Sequence, residues 1–232
     1  MFRVLGVVCA IVCLAAPTAW AQPKPAAASF GRLPAIQKAV ISPDGKSIAI
    51  LGGTPARRLI SLSPIDAATA VHVELGTVDV NDIRWAGSGF LVIQTSRYET
   101  GRDPSNNSPF AYHFIRNVVI DSKGKVLNQL LGDNANSQFT TVQPILGMID
   151  GTRPVAVVEG LDMAGEALAG RNSRIRTADN LLVSTLYRVD VATGKGSIVE
   201  RGSQKTQTWD VDLTGEARVR WDLDPISRQR TL

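Results

Sequence analysis

The amino-acid sequence predicts an all-β fold built from repeated four-stranded antiparallel units. Two kinds of hairpin alternate along the chain, each a tight turn between short apolar runs, and long helical periodicity is absent. The turn glycines of the first kind, Gly45, Gly87, Gly151 and Gly215, are 42, 64 and 64 residues apart. Two hairpins make one four-stranded unit, and the shortest spacing matches the roughly 40–45 residues of a propeller blade. We therefore expect a partial β-propeller with about three and a half blades.

The first kind of hairpin is clearest at Ile41–Leu51. Pro43 presets φ at the first corner of the turn, Asp44 can bond to its own backbone, and Gly45 tolerates the left-handed conformation that closes it. The apolar run Ile48–Leu51 that follows is short enough for a buried strand. The same order of strand, turn and strand recurs at Ile83–Gln94, Ile145–Glu159 and Trp209–Trp221.

The second kind of hairpin lies between these copies and carries an acidic residue close to its turn. Its copies are Leu59–Leu75, Val118–Leu130 and Tyr187–Glu200. One hairpin of each kind forms a blade, so the sequence predicts blades over residues 39–78, 79–133 and 139–202 and the start of another over 207–232. The alternative fold is a β-sandwich with irregular hairpins.

The longer spacings come from two insertions, each between the first and second hairpin of its blade. Ser96–Tyr112 contains Arg97, Tyr98 and Glu99, and Gly160–Asn180 contains Arg171, Arg174 and Arg176. Equivalent positions in propeller blades open onto the same face, so we expect both loops to emerge together. Insertions restricted to one face often mark a binding face. The alternative is that they are solvated variable loops without a ligand.

The first 21 residues have the pattern of a secretory signal peptide. Arg3 precedes an apolar run from Val4 to Ala16, and Ala19-Trp20-Ala21 is a cleavage site of the A-x-A kind. A membrane anchor is the alternative, but the run is shorter than the ~20 residues that a span needs. We expect residues 22–38, rich in Pro and Ala at their start, to form a flexible tether and leading segment. The expected location is periplasmic or secreted, with no membrane span after cleavage.

Charge and cysteine content restrict the remaining possibilities. The chain has 25 Lys and Arg against 21 Asp and Glu, for a net charge of +4, and no basic run longer than Arg57-Arg58. Nucleic-acid surfaces need clustered Lys and Arg, so we expect no nucleic-acid partner. Cys9 and Cys13 both lie in the predicted signal, so the mature part has no disulfide although export would permit one.

No catalytic, cofactor-binding or metal-binding residue can be named from the sequence. The chain has no G-x-S-x-G nucleophile elbow, and the nearest string, Ala86–Gly89, lacks the spacing and the strand-to-helix context. His72 alternates with valines in a strand and should face solvent, whereas His113 is expected to have a structural role at a strand start. Neither histidine has a partner at metal-binding spacing, and no Gly-rich loop opens a helix. We therefore expect no cofactor.

Three passages carry a resemblance to a known family. Ile41–Ile50 and Ile83–Leu91 resemble the opening strands of blades in TolB-like and prolyl-oligopeptidase-type propellers. Tyr187–Val211, with Asp212–Arg220 after it, resembles exported bacterial serine peptidases of the prolyl oligopeptidase family, the dipeptidyl-aminopeptidase and acylaminoacyl-peptidase relatives. In that family an N-terminal propeller covers an α/β-hydrolase domain that supplies a Ser-Asp-His triad, and the propeller admits short peptides while excluding folded proteins.

The resemblance implies the non-catalytic propeller portion of a secreted serine peptidase, with the hydrolase domain absent from this chain. No triad residue can be carried over, and Glu99 and Glu166 are isolated, so no amine-binding glutamate pair is transferred. Peptide substrates are expected only when a hydrolase domain is joined. The alternatives are a free-standing periplasmic TolB-like binding or scaffold propeller and a degraded gene product. An open ring should also self-associate through its edges, with Val40, Ile48 and Ile50 losing some of the apolar cover that a full ring provides.

Overall fold

A computed structural model describes residues 35–54, 56–67, 69–102, 107–134, 143–163, 182–224 and 226–231. The predicted signal peptide and residues 22–34 of the predicted tether and leading segment lie outside these residues, whereas residues 36–38 belong to a strand. Across the described residues every regular element is a β-strand, which confirms the all-β class. These residues contain no helix long and apolar enough to cross a membrane.

The described strands form four antiparallel sheets, and in each sheet strands adjacent in sequence are adjacent in space. The first sheet contains β1 (Ile36–Ile41), β2 (Ser47–Thr54), β3 (Arg57–Pro64) and β4 (Val71–Gly76). The second contains β5 (Asp79–Ala86), β6 (Phe90–Arg102), β7 (Pro109–Asp121) and β8 (Val126–Gln129). The third contains β9 (Ile145–Ile149), β10 (Val155–Met163), β11 (Leu182–Asp190) and β12 (Gly196–Arg201). The fourth contains β13 (Thr206–Val211), β14 (Ala217–Leu223) and β15 (Arg230–Thr231).

The predicted hairpins of both kinds are confirmed, and their turns have the expected chemistry. In the β1–β2 turn, Gly45 has φ 71°, and the Asp44 carboxylate accepts a hydrogen bond from the Lys46 backbone N–H at 3.2 Å. In the β7–β8 turn, the Asp121 carboxylate accepts hydrogen bonds from the backbone N–H groups of Lys123 and Lys125, both at 2.9 Å. Aspartate thus closes turns of both kinds by binding the backbone that follows it.

Each sheet shares an apolar core with the next sheet in the chain. Leu51 and Ile60 of the first sheet pack with Leu91 of the second, and Val119 of the second packs with Tyr187 of the third. The third and fourth sheets share a smaller core made of Val157, Leu186 and Trp209. Neighbouring residues of one strand face opposite cores, because side chains alternate along a strand. The second and third sheets are therefore covered on both faces.

The prediction that Ser96–Tyr112 is a loop is wrong, because most of it extends β6 and β7. These two strands pair without a break from Phe90↔Asp121 to Arg102↔Pro109. Pro109 is accommodated at the first residue of its strand, a position that tolerates a missing N–H. We call β6, β7 and their connection the long hairpin.

The second predicted insertion, Gly160–Asn180, begins in the same way. Gly160–Met163 belongs to β10 and pairs with Leu182–Thr185 of β11. Residues 164–181, including Glu166, Arg171, Arg174 and Arg176, lie outside the described residues.

The long hairpin and the β10–β11 pair end on the same side of the molecule. The β5–β6 and β9–β10 turns meet at the other end, where the Gly87 N–H donates to the Asp150 carboxylate at 2.8 Å. Strands β6 and β10 both run away from that contact, so Arg102 and Met163 lie toward the opposite end. The paired strands that lead into both predicted insertions therefore point to one side.

The expectation for the outer face of the first sheet needs one correction. Val40 lies opposite Ala49 and packs against the core shared with the second sheet, so it has apolar cover. Ile48 and Ile50 lie on the other face of β2 and are half-buried, while Ile41 beside them is exposed. The correction follows from strand alternation, which places Val40 and Ile41 on opposite faces.

Candidate functional site

The residues considered in the sequence for catalysis lie apart in the fold. His72 is exposed, as predicted, and its Nδ1 is 2.9 Å from the Ser61 Oγ directly across from it on β3. His113 lies on β7, where its ring stacks on Tyr98 with centroids 4.5 Å apart. Ala86–Gly89 is the β5–β6 turn. No group of three or more His, Cys, Asp or Glu within the described residues is arranged to hold a metal ion.

The Ser61–His72 pair combines a hydroxyl that could act as a nucleophile with an imidazole that could act as a base, but it lacks the surrounding groups of an acyl-transfer site. Both residues are in extended strands, and their contact is a direct cross-strand pair on an exposed surface. An acyl-transfer site also needs N–H donors aimed at the developing oxyanion. The backbone around Ser61 is instead paired on both sides, with β2 and with β4. The pair is therefore a surface hydrogen bond.

A concave surface lies at the base of the long hairpin and forms a cleft. Its volume is about 610 Å³. Val78 and Gly132, from the connections before β5 and after β8, line it together with side chains of the hairpin. The side chains of the hairpin that line the cleft include Thr95, Arg97, Glu99, Phe114, Arg116 and Val118.

The cleft lies where one face of the long hairpin changes from apolar to charged. Leu91 and Ile93 of β6 are almost fully buried in the core shared with the first sheet. Thr95, Arg97 and Glu99 follow on the same face, because every second residue of a strand points the same way. Burial by the first sheet ends along this face, and Arg97 is exposed. Side chains continue to alternate along β6, but beyond Ile93 this face is more exposed to solvent.

The electrostatics of the cleft are dominated by two guanidinium groups. Arg97 forms an ion pair with Glu99. Arg116 is half-buried, and its guanidinium carbon is 5.1 Å from the centroid of the Phe114 ring. Burial, and next the positive charge of Arg97, lowers the pKa of Arg116. The lining residues that the structure describes include two cations and one carboxylate, so their summed charge is positive.

Hydrogen bonds fix the base of the long hairpin to its neighbours. The Ser96 hydroxyl donates to the Asn81 side-chain oxygen on β5 at 3.0 Å. On β7 the fully buried Asn117 donates from Nδ2 to the carbonyl of Gln143 at 2.7 Å. These contacts are made on both strands, so the cleft rests on a braced element.

A second polar cluster lies between the third and fourth sheets. The Glu159 carboxylate accepts hydrogen bonds from the Ser184 hydroxyl at 2.7 Å and from the Thr208 hydroxyl at 3.0 Å. The Ser184 hydroxyl in turn accepts a hydrogen bond from the Trp209 indole N–H at 3.2 Å. Burial raises the pKa of Glu159, while the two hydroxyl donors act in the opposite direction. Because Ser184 uses its proton on Glu159, this cluster joins two sheets and has no activated nucleophile.

Only part of the cleft is predicted by the sequence. Arg97 and Glu99 fall in the predicted insertion Ser96–Tyr112, whereas Phe114 and Arg116 carry no prediction of a site. A signal was present, since Thr95, Arg97 and Glu99 continue the alternation of Leu91 and Ile93. A scan against protein-family models, a search of curated proteins and a search of solved structures found no match to this chain.

Proposed function

We propose that the four sheets are consecutive blades of a β-propeller, and that this propeller is the non-catalytic, substrate-screening portion of an exported serine peptidase similar to the prolyl oligopeptidase family. One observation carries the proposal: four antiparallel meanders follow one another in the chain, and each packs face to face on the next. This succession is typical of radial repetition of blades.

The positions of the resembling passages support the same proposal. Ile41–Ile50 covers the β1–β2 turn, and Ile83–Leu91 covers the β5–β6 turn, so both fall on the first hairpin of a sheet. Tyr187–Arg220 runs from β11 into β14 and spans the passage from the third sheet to the fourth. The first two passages thus lie at equivalent positions of their sheets, as a blade repeat requires, and the third includes the corresponding β13–β14 turn of the fourth sheet.

In this proposal peptide hydrolysis belongs to an α/β-hydrolase domain outside the present sequence. The propeller would restrict which substrates reach that domain. Export follows from the predicted signal peptide, and we expect the mature polypeptide to begin near Gln22, which N-terminal mass spectrometry of the secreted or periplasmic fraction would check. A membrane-bound species that retains Met1 would contradict this part.

The proposal is tested on the natural polypeptide. Antibodies raised against residues 35–231 would be used to purify it from the exported fraction of the source cells. We expect a polypeptide well above 24.8 kDa, labelled by a fluorophosphonate probe and active on dipeptidyl or acylaminoacyl chromogenic substrates. An unlabelled, inactive polypeptide of about the present mass would contradict the peptidase proposal.

The purified present chain serves as the matched control in that assay. We expect it to hydrolyse none of these substrates, because it has no elbow serine and the Ser61–His72 pair seen among the described residues lacks an oxyanion site. Turnover that disappears in Ser61→Ala would contradict this expectation and would make that pair a catalytic site.

A free-standing binding propeller is the second candidate, and the cleft favours it. The described lining residues come mainly from the long hairpin, and a cleft with positively charged and apolar side chains is typical of a ligand site in its own right. An unlabelled natural polypeptide that retains a ligand on purification would favour this candidate over the peptidase.

A further inference from the structure

We propose that the cleft at the base of the long hairpin binds a carboxylate, held between Arg97 and Arg116, with the rest of the ligand packed on Phe114 and Val118. The inference goes beyond the proposed function, because it applies equally to a screening propeller and to a free-standing binding protein.

The strand register brings the two arginines together. Thr95 lies opposite Arg116, and Arg97 lies opposite Phe114, so the two arginines are diagonal neighbours on one face of the β6–β7 pair. Diagonal neighbours on a sheet are roughly 7–8 Å apart, a gap that long side chains span. Guanidinium groups match carboxylates in shape and can donate two parallel hydrogen bonds to them. One carboxylate between these groups can accept from both.

The charges in the cleft favour an anion. Arg116 has lost part of its hydration, and Arg97 adds a second positive charge nearby; both effects lower the pKa of Arg116. A bound carboxylate would offset the second effect, because it places an opposite charge between two like charges. Glu99 pairs with Arg97 at the outer end of the cleft.

The receiving group is held in place before any ligand binds. The guanidinium of Arg116 lies over the Phe114 ring, and its Nη1 donates to the Ile115 carbonyl at 2.9 Å. The strands that carry it are braced through Ser96 and Asn117. A preorganised site loses less side-chain freedom on binding, which favours affinity.

The size and lining of the cleft indicate a ligand larger than a simple ion. A volume of about 610 Å³ lies within the range of small-molecule sites. Val78, Val118 and Phe114 add apolar surface beside the arginines. A short peptide fits this combination, and its carboxylate can come from the C-terminus or from an acidic side chain.

The probes are two pairs of peptides that differ in one charge. The first pair is Ala-Ala-Phe with a free carboxylate and the same peptide as its C-terminal amide. The second pair is acetyl-Ala-Glu-Phe-amide and acetyl-Ala-Gln-Phe-amide. Calorimetric titration of the purified full chain should show that, in at least one pair, the charged peptide binds about tenfold or more tightly than the neutral one. A hydrogen bond to a charged group contributes enough binding free energy to give a difference of this size. The pair that discriminates identifies the source of the carboxylate, and failure of both pairs to discriminate would overturn the proposal.

Variants then assign the effect to the arginines. Arg97→Gln and Arg116→Gln should each weaken binding of the preferred peptide about tenfold. Arg57→Gln is the matched control, because Arg57 is also ion-paired with a glutamate and has the same 72% side-chain exposure as Arg97. Glu99→Gln should tighten binding, because it removes the carboxylate that competes for Arg97.

These variants also protect the test against a folding artefact. Arg97 is exposed, so its variant should keep the wild-type melting temperature even if the Arg116 variant does not fold. An equal loss of affinity in Arg57→Gln and Arg97→Gln, or a loss in Glu99→Gln, would overturn the proposal.

Discussion

Glu159 shows at the scale of one residue how the junction between the third and fourth sheets is built. Its carboxylate lies between two sheets and is satisfied by hydroxyl donors from each, Ser184 and Thr208. Burial disfavours its charged form, so its pKa is raised. The hydrogen bonds that join the two sheets therefore depend on Glu159, a carboxylate whose ionised form is destabilised by burial.

This arrangement predicts a pH dependence of stability. Because the folded-state pKa of Glu159 is raised above the unfolded value of about 4.3, its contribution is fully present below that pH and is lost as pH rises through the folded pKa. Glu159→Gln should remove this loss, so the free energy of unfolding should fall less on going from acidic to neutral pH. Urea unfolding of both proteins across that range measures the difference.

The control for this experiment is Glu74→Gln. Glu74 is exposed and pairs with Arg57 within the first sheet, away from the junction between the third and fourth sheets. Arg57 lowers the pKa of Glu74, the opposite shift to that of Glu159, so this replacement should not reduce the loss of stability toward neutral pH. Parallel pH profiles for wild type and Glu159→Gln would contradict the role assigned to Glu159.

At the scale of elements, a comparison of two turn glycines distinguishes the cost of backbone strain from the cost of disturbed packing between sheets. Gly45 and Gly215 both close hairpins of the first kind, with φ of 71° and 77°. A Cβ at Gly45 would have no heavy atom within 4 Å, whereas one at Gly215 would lie 2.7 Å from Val157 Cγ2 and 2.8 Å from Ile149 Cδ1. The turn of the fourth sheet thus packs directly on the third.

Alanine at these two positions should destabilise the chain to different extents. Gly45→Ala should cost about 1–2 kcal/mol, the penalty of the left-handed conformation alone. Gly215→Ala should cost about 1–3 kcal/mol more, because overpacking against the third sheet is added to that penalty. Denaturant unfolding measures both, and equal losses would show that the fourth sheet does not pack as described.

The hairpins could be predicted from the sequence because their causes are local. Pro43, Asp44 and Gly45 each act through their own backbone or that of the next residues, and the same holds for Asp121 and its turn. The alternation around His72 was sufficient to place that side chain in solvent.

The length of the long hairpin and the cleft on it could not be read in the same way. The polar composition of Ser96–Tyr112 is typical of a loop, and it forms strands because β6 and β7 pair with each other over thirteen positions. Arg97 and Arg116 are neighbours only through that register, which depends on where the β6–β7 connection falls. Contacts of this kind are non-local, so a pattern within a short window does not contain them.

At the scale of the whole molecule, the described residues give the first and last sheets a partner sheet on one face only. Among the described residues, no core cluster joins the fourth sheet to the first. The outer face of the first sheet carries Ile41, Ile48 and Ile50, and β14 of the fourth sheet leaves Trp221 partly exposed. Exposed sheet surfaces and edges of this kind recruit other strands.

We therefore expect the purified chain to self-associate as its concentration rises. Ile41→Lys should reduce this association, because Ile41 is 60% exposed on the outer face of the first sheet. Ile65→Lys is the control, since Ile65 is 47% exposed in the β3–β4 turn rather than on that face. Light scattering over a concentration series measures the association, and a monodisperse monomer at all concentrations would contradict the expectation.

We propose that these four sheets are consecutive blades of a propeller that screens substrates for a serine hydrolase domain. A single-particle electron microscopy reconstruction of the natural polypeptide, purified with antibodies against residues 35–231, tests this directly. We expect a closed ring in which the four sheets follow one another in chain order, with an additional α/β domain covered by that ring. An open stack of these sheets, or a ring that they close without other blades or a hydrolase domain, would contradict it.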